Sequence, residues 1–114
     1  MKSNQAKCMY VPRHAMGDTN HHDVEGGVMT GFNHMFAFVK YDSDNHTKST
    51  KWSDLYFVDV WGAKIKIISY SVEQFTVMRS DSKSAHTIDI EPDGYYVDGS
   101  IRCMTLQEAI NTVG

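Results

Sequence analysis

Apolar residues in this chain come in short alternating stretches, each broken within a few residues by glycine, proline, asparagine or aspartate. Over residues 35–41, Phe36, Phe38 and Lys40 fall on one face and Met35, Ala37, Val39 and Tyr41 on the other. Over residues 55–61, Leu55, Phe57 and Trp61 are in phase, with Asp59 interrupting them, and Tyr56, Val58 and Val60 lie opposite. Residues 64–70 turn Ile65 and Ile67 inward and Lys64 and Lys66 outward, and residues 75–79, 87–90 and 95–97 are further strands. A period of two belongs to strands with one buried face. Gly31 with Asn33 and His34, residues 81–85, and Glu91-Pro92-Asp93-Gly94 supply turns, and Gly62 allows a bend. A helical period occurs near residue 105. There Thr105-Leu106-Gln107-Glu108 is a capping box, and Leu106, Ala109, Ile110 and Val113 share a face. A helix ending near Asn111 is too short to stand alone in water and must dock on the strands. The expectation is one α+β domain over residues 1–114, mostly antiparallel β, built as a small barrel or strongly bent sheet.

Residues 11–41 hold one proline, four glycines, four histidines and three acids. Pro12 ends a first short strand over residues 8–11. Residues 13–27 have no apolar periodicity and read as a long ordered loop, a length that in a small domain tends to carry function. Residues 42–53 read as a polar surface loop, and residues 1–7 as a frayed polar segment.

Charge excludes some functions and leaves others open. The net charge is −3, and residues 1–60 hold six Lys/Arg against seven Asp/Glu while residues 61–114 hold five against seven. No basic block of the kind a phosphate-neutralising protein carries stands out. The first ten residues lack the apolar core of a signal peptide, and no apolar run approaches the roughly 18 residues that span a bilayer. Cys8 and Cys103 therefore read as reduced thiols in a cytosol.

Residues 10–39 resemble an uncharacterised family of small bacteriophage and prophage proteins. Its pattern P-x-H-A-x-G-D stands here as Pro12, His14, Ala15, Gly17 and Asp18. The following H-x-D-x-E…G-V stands as His22, Asp23, Glu25, Gly27 and Val28, with Gly27 one residue late, and then come Asn33 and Phe38-Val39. Val24 occupies a position where the family often has cysteine, and the likeness does not extend past the first half. The resemblance implies a phage accessory protein with an SH3-like barrel over about residues 8–60. The β-rich residues 61–114 and the C-terminal helix would extend it. No biochemical activity comes with the resemblance.

Four chemistries suit the residues. A metal site could draw on Cys8, His14, Asp18, His21, His22, Asp23 and Glu25, whose imidazole, thiolate and carboxylate groups suit zinc. The spacing is no known ligand signature, and pinning of the loop backbone by His14 and Asp18 is the plainer reading. Histidine–carboxylate pairs and Cys8 could serve acid–base or nucleophilic chemistry, but no catalytic motif accompanies them. Tyr10, Phe36, Phe38, Tyr41, Trp52, Tyr56 and Trp61 could stack on single-stranded nucleic acid beside Arg13, Lys40, Lys48 and Lys51. Against that, alternation assigns Phe36, Phe38, Phe57 and Trp61 to the core. Trp52, in a polar loop beside Lys51, is either a protein-interface anchor or a lid on a barrel end. The expectation is a non-enzymatic accessory protein without cofactor or metal, acting in the host cytoplasm. It would bind a host or defence-system protein through Arg13, His14, His21, His22, Lys51 and Trp52. Nucleic-acid binding is the alternative and a metal-binding loop the third reading, with no membrane partner. Self-pairing through an exposed strand edge is also open.

Overall fold

The computed structural model describes residues 4–43 and 46–113. Among these, ten strands form one antiparallel sheet, followed by one α-helix. The strands are β1 (Ala6–Tyr10), β2 (Glu25–Phe32), β3 (Phe36–Tyr41), β4 (Thr47–Lys51), β5 (Leu55–Val58), β6 (Lys64–Tyr70), β7 (Gln74–Arg79), β8 (Ala85–Glu91), β9 (Gly94–Val97) and β10 (Ile101–Cys103). Short 3₁₀ turns cover Arg13–Ala15 and Trp52–Asp54, and the helix α1 covers Leu106–Thr112. The order across the sheet is β10-β9-β8-β7-β6-β5-β1-β2-β3-β4. Successive strands are neighbours except β4 and β5, because β1 takes the place beside β5 and sits between β2 (Cys8 opposite Gly27) and β5 (Cys8 opposite Phe57).

The sheet is not closed, but it is strongly curled. β2 and β7 lie four positions apart in strand order, about 19 Å in a flat sheet. Yet the rings of Phe32 and Phe75 approach to 5.3 Å, and Trp52 comes within 5.1 Å of Phe75. Burial of Met29, Val39, Phe57, Ile65, Phe75, Val77 and Ile88 on the concave face, each 0% exposed, accounts for the curl. The backbones of β2 and β3 come so close that a Cβ at Gly27 would lie 2.6 Å from the Lys40 carbonyl oxygen, so only glycine fits.

The helix behaves as its sequence dictates. Thr105 accepts a hydrogen bond from the Glu108 amide at 3.1 Å, and the Glu108 carboxylate reaches back to the Met104 amide at 3.3 Å. Leu106, Ala109, Ile110 and Val113 are buried. The polar face is used as well. Gln107 accepts from the Lys7 amide at 2.7 Å and donates to the Val58 carbonyl at 3.1 Å, while Asn111 accepts from the Val60 amide at 2.9 Å.

Several expectations need correction. Residues 42–53 are not all loop, because β4 lies within them, and β10 is a further strand that periodicity did not mark. Of the segment expected to fray, residues 1–3 lie outside the described residues and Ala6 and Lys7 belong to β1. Phe36 and Phe38 are in phase as expected but only half-buried, because Ala37, Val39 and Tyr41 take the core side of β3. Trp61 is 76% exposed, against the core place that alternation gives it, and Trp52, open to either reading, is only 2% exposed. Cys8 and Cys103 are free and buried. Among the described residues no helix is long and apolar enough to cross a membrane.

Candidate functional site

The loop from β1 to β2 is built from overlapping tight turns. The Ala15, Met16, Asp18, His21 and Val24 amides each donate to the carbonyl three residues earlier, at 2.9–3.2 Å. The Asp18 carboxylate also accepts from the Asn20 amide at 2.9 Å. This winding folds the loop over and gathers three imidazoles around one carboxylate. His14 Nε2 lies 2.6 Å from Asp23 Oδ2, His21 Nδ1 4.0 Å from the same oxygen, and His22 Nε2 3.5 Å from Oδ1. The rings of His21 and His22 stack at 4.3 Å, and that of His14 meets His21 edge-on at 5.2 Å. The Asp23 amide donates to His21 Nδ1 at 3.1 Å. The hydrogen bond from His14, with the neighbouring imidazoles, holds the Asp23 carboxyl below its ordinary value.

The other proposed ligands do not join them. Cys8 is buried in β1 and is not among the clustered donors, and loss of solvent pushes its thiol up to about 12, which disfavours the thiolate a nucleophile needs. Asp18 caps its own turn, and Glu25 accepts a weak hydrogen bond from Ser43 at 3.4 Å. Beneath the loop lies an open cavity of about 310 Å³, lined among others by Pro12, Arg13, Met16, Tyr56 and Lys66. Arg13 is exposed at its mouth, and Met16 is 91% exposed beside it.

Lys51 and Trp52, adjacent in sequence, face different surroundings. Lys51 is exposed on the edge strand β4, directly across from Phe36. Trp52 turns into the core, donates from Nε1 to the Asn33 carbonyl at 3.1 Å and stacks on Tyr70 at 5.2 Å. At 2% exposure Trp52 is a core side chain and offers almost no contact surface.

Alternation places Trp61 in the core, yet it stands at the tip of the β5–β6 turn. Asp59, 0% exposed, closes that turn from inside. It accepts from the Trp61 amide at 3.0 Å and the Ala63 amide at 2.7 Å, and its other oxygen lies 3.4 Å from an Arg79 nitrogen. The Asp59 and Gly62 amides close the backbone of the turn, and Asn111 fixes Val60 from the helix. Val60 (58% exposed) and Trp61 are thus large apolar side chains held outward on a fully hydrogen-bonded base. The usable sequence signal was Asp59, an acid in phase with buried Leu55 and Phe57, which marks the end of a strand rather than a flaw in it.

No protein-family model, curated protein or solved structure matches this chain.

Proposed function

We propose that this chain is a non-enzymatic accessory protein, of the phage kind that its N-terminal pattern resembles. In the host cytoplasm it binds a host or defence-system protein and modulates it. The observation that carries this reading is Trp61, 76% exposed on a turn fixed by buried Asp59. An exposed tryptophan is an ordinary interface anchor, and one already held in place loses little conformational freedom on binding. An SH3-like plan for residues 8–60 is supported by the order β5-β1-β2-β3-β4, the long β1–β2 loop and the 3₁₀ turn between β4 and β5.

The test is capture of partners from nuclease-treated host lysate by the wild-type chain and by Trp61→Ala. The wild type should retain a stoichiometric protein that Trp61→Ala binds about 30-fold or more weakly, the loss that goes with an anchor worth about 2 kcal/mol. Thermal stability should change by no more than about 0.5 kcal/mol, since the ring packs on little. A partner held equally by both proteins removes Trp61 from the interface.

A second reading, nucleic-acid binding, is favoured by the outer face of β1–β4. Phe36 and Phe38 are half-buried there, with Lys51 across from Phe36 and with Lys40, Val28 and Lys7 forming one cross-strand row. Aromatics among lysines form a stacking platform for single strands. Under this reading Lys51→Ala should reduce the slope of log affinity against log salt by about 0.7. A salt-independent affinity would leave only the protein-binding reading.

A further inference from the structure

We propose that His14, His21 and Asp23 form a binding site for a single borderline divalent cation of the zinc class. Each offers one donor atom, and these donors all lie within 4.8 Å of one another. Two imidazoles and one carboxylate are a donor set that such cations accept, with a remaining position left to water or to a partner's side chain.

The distances support this more closely than clustering alone. Two ligands about 2.1 Å from a tetrahedral ion stand about 3.4 Å apart. The His14–Asp23 separation is 2.6 Å and the His21–Asp23 separation 4.0 Å, so the two bracket that value. The His14 and His21 donors lie no more than 4.8 Å apart, so closing on one ion needs rotation of these side chains to draw the rings together. His21 Nδ1 accepts a hydrogen bond from the Asp23 amide, and that bond has to give way if the same nitrogen is to ligate the ion. The ion has access, because the His14 and Asp23 side chains are 62% and 47% exposed. The scaffold also exists beforehand. The chain of turns from residue 12 to residue 24 fixes the backbone that carries the ligands, so binding orders side chains rather than a loose loop. His22 faces the other carboxylate oxygen and is 84% exposed, so it is not one of the three donors.

The experiment is titration of the metal-free chain with zinc chloride, read by calorimetry and by thermal melting. One ion per chain should bind, with a rise in Tm that grows with zinc concentration, as mass action requires of a ligand that binds only the folded state. His14→Ala, His21→Ala and Asp23→Ala should each weaken zinc by about tenfold or more, since even the outer-shell partners of a metal site are worth that much. His14 and Asp23 lie on the surface, so their variants should fold, with circular dichroism as the check, and either one alone can decide the matter. Trp61→Ala should bind zinc like the wild type, which keeps this test separate from that of the partner surface. If the wild type takes up no zinc, or if His14→Ala and Asp23→Ala bind it as tightly as the wild type, the site does not exist.

Discussion

Trp52→Ala is expected to lower the free energy of unfolding by about 3–5 kcal/mol, the range for removing a large aromatic from a packed core. Trp52 is 2% exposed and is one of the largest buried side chains. Its ring contacts Phe32, Tyr70 and Phe75 at centroid distances of 5.6, 5.2 and 5.1 Å. These partners come from β2, β6 and β7, so the residue ties the two flanks of the curled sheet together. For a chain of this size the loss corresponds to a fall in Tm of about 10–20 °C, measured by circular dichroism or calorimetry. Trp52→Phe keeps an aromatic ring but leaves the Asn33 carbonyl without its Nε1 donor, and should cost about 1–2 kcal/mol. A Trp52→Ala protein melting within about 1 kcal/mol of the wild type would show that the flanks hold together without it. Any loss of partner binding in this variant reflects unfolding, because the side chain does not reach the surface.

Asp59→Ala should be the second most damaging change discussed, at about 2–4 kcal/mol in urea or thermal unfolding. The carboxylate is 0% exposed and serves the Trp61 amide, the Ala63 amide and Arg79. Removing it leaves two amides without acceptors in a tight turn. The guanidinium is not stranded, because Arg79 also pairs with Asp81 at 2.9 Å, so the full penalty of an abandoned buried charge does not apply. Asp59→Asn retains an acceptor for the amides and should cost about half as much. Both variants should also weaken partner capture more than their stability loss explains, since Trp61 loses its fixed base. Wild-type stability in Asp59→Ala would mean that the turn holds without its internal acceptor.

How much of this could be read in the sequence depended on whether a residue's neighbours in space were also its neighbours in the chain. The β6–β7 hairpin, the turn at Glu91-Pro92-Asp93-Gly94 and the capping box at Thr105 are local, and all three were legible. β4 was not, because an edge strand with one covered face can be almost wholly polar. Of its residues Thr47–Lys51 only Thr50 is buried. The misplacement of Trp61 and the undecided place of Trp52 have the same origin. Local polarity around Trp52 says nothing of Phe75, which reaches it only through the curl of the sheet, and the alternation carrying Trp61 inward stops where Asp59 turns the chain. In the histidine-rich loop the residue types were visible but their meeting was not. The overlapping turns bring His14 to Asp23 and leave Cys8, Asp18 and Glu25 elsewhere.

The position of β1 between β2 and β5 also sets the order in which this protein can assemble. From β6 to β10 each strand pairs with the one before it, so hairpins can form one after another as soon as their residues are present. β1 has to wait. Its second partner comes only after three intervening strands, and the amide of Lys7 finds its acceptor on Gln107, 100 residues further along. Such distant contacts are slow to close and dominate the folding barrier. Until β5 and the helix arrive, β1 keeps one open edge through which two incomplete molecules can pair. Changes at the β1–β5 seam should therefore act on folding speed and yield, and changes within the β6–β9 hairpins mainly on the rate of unfolding.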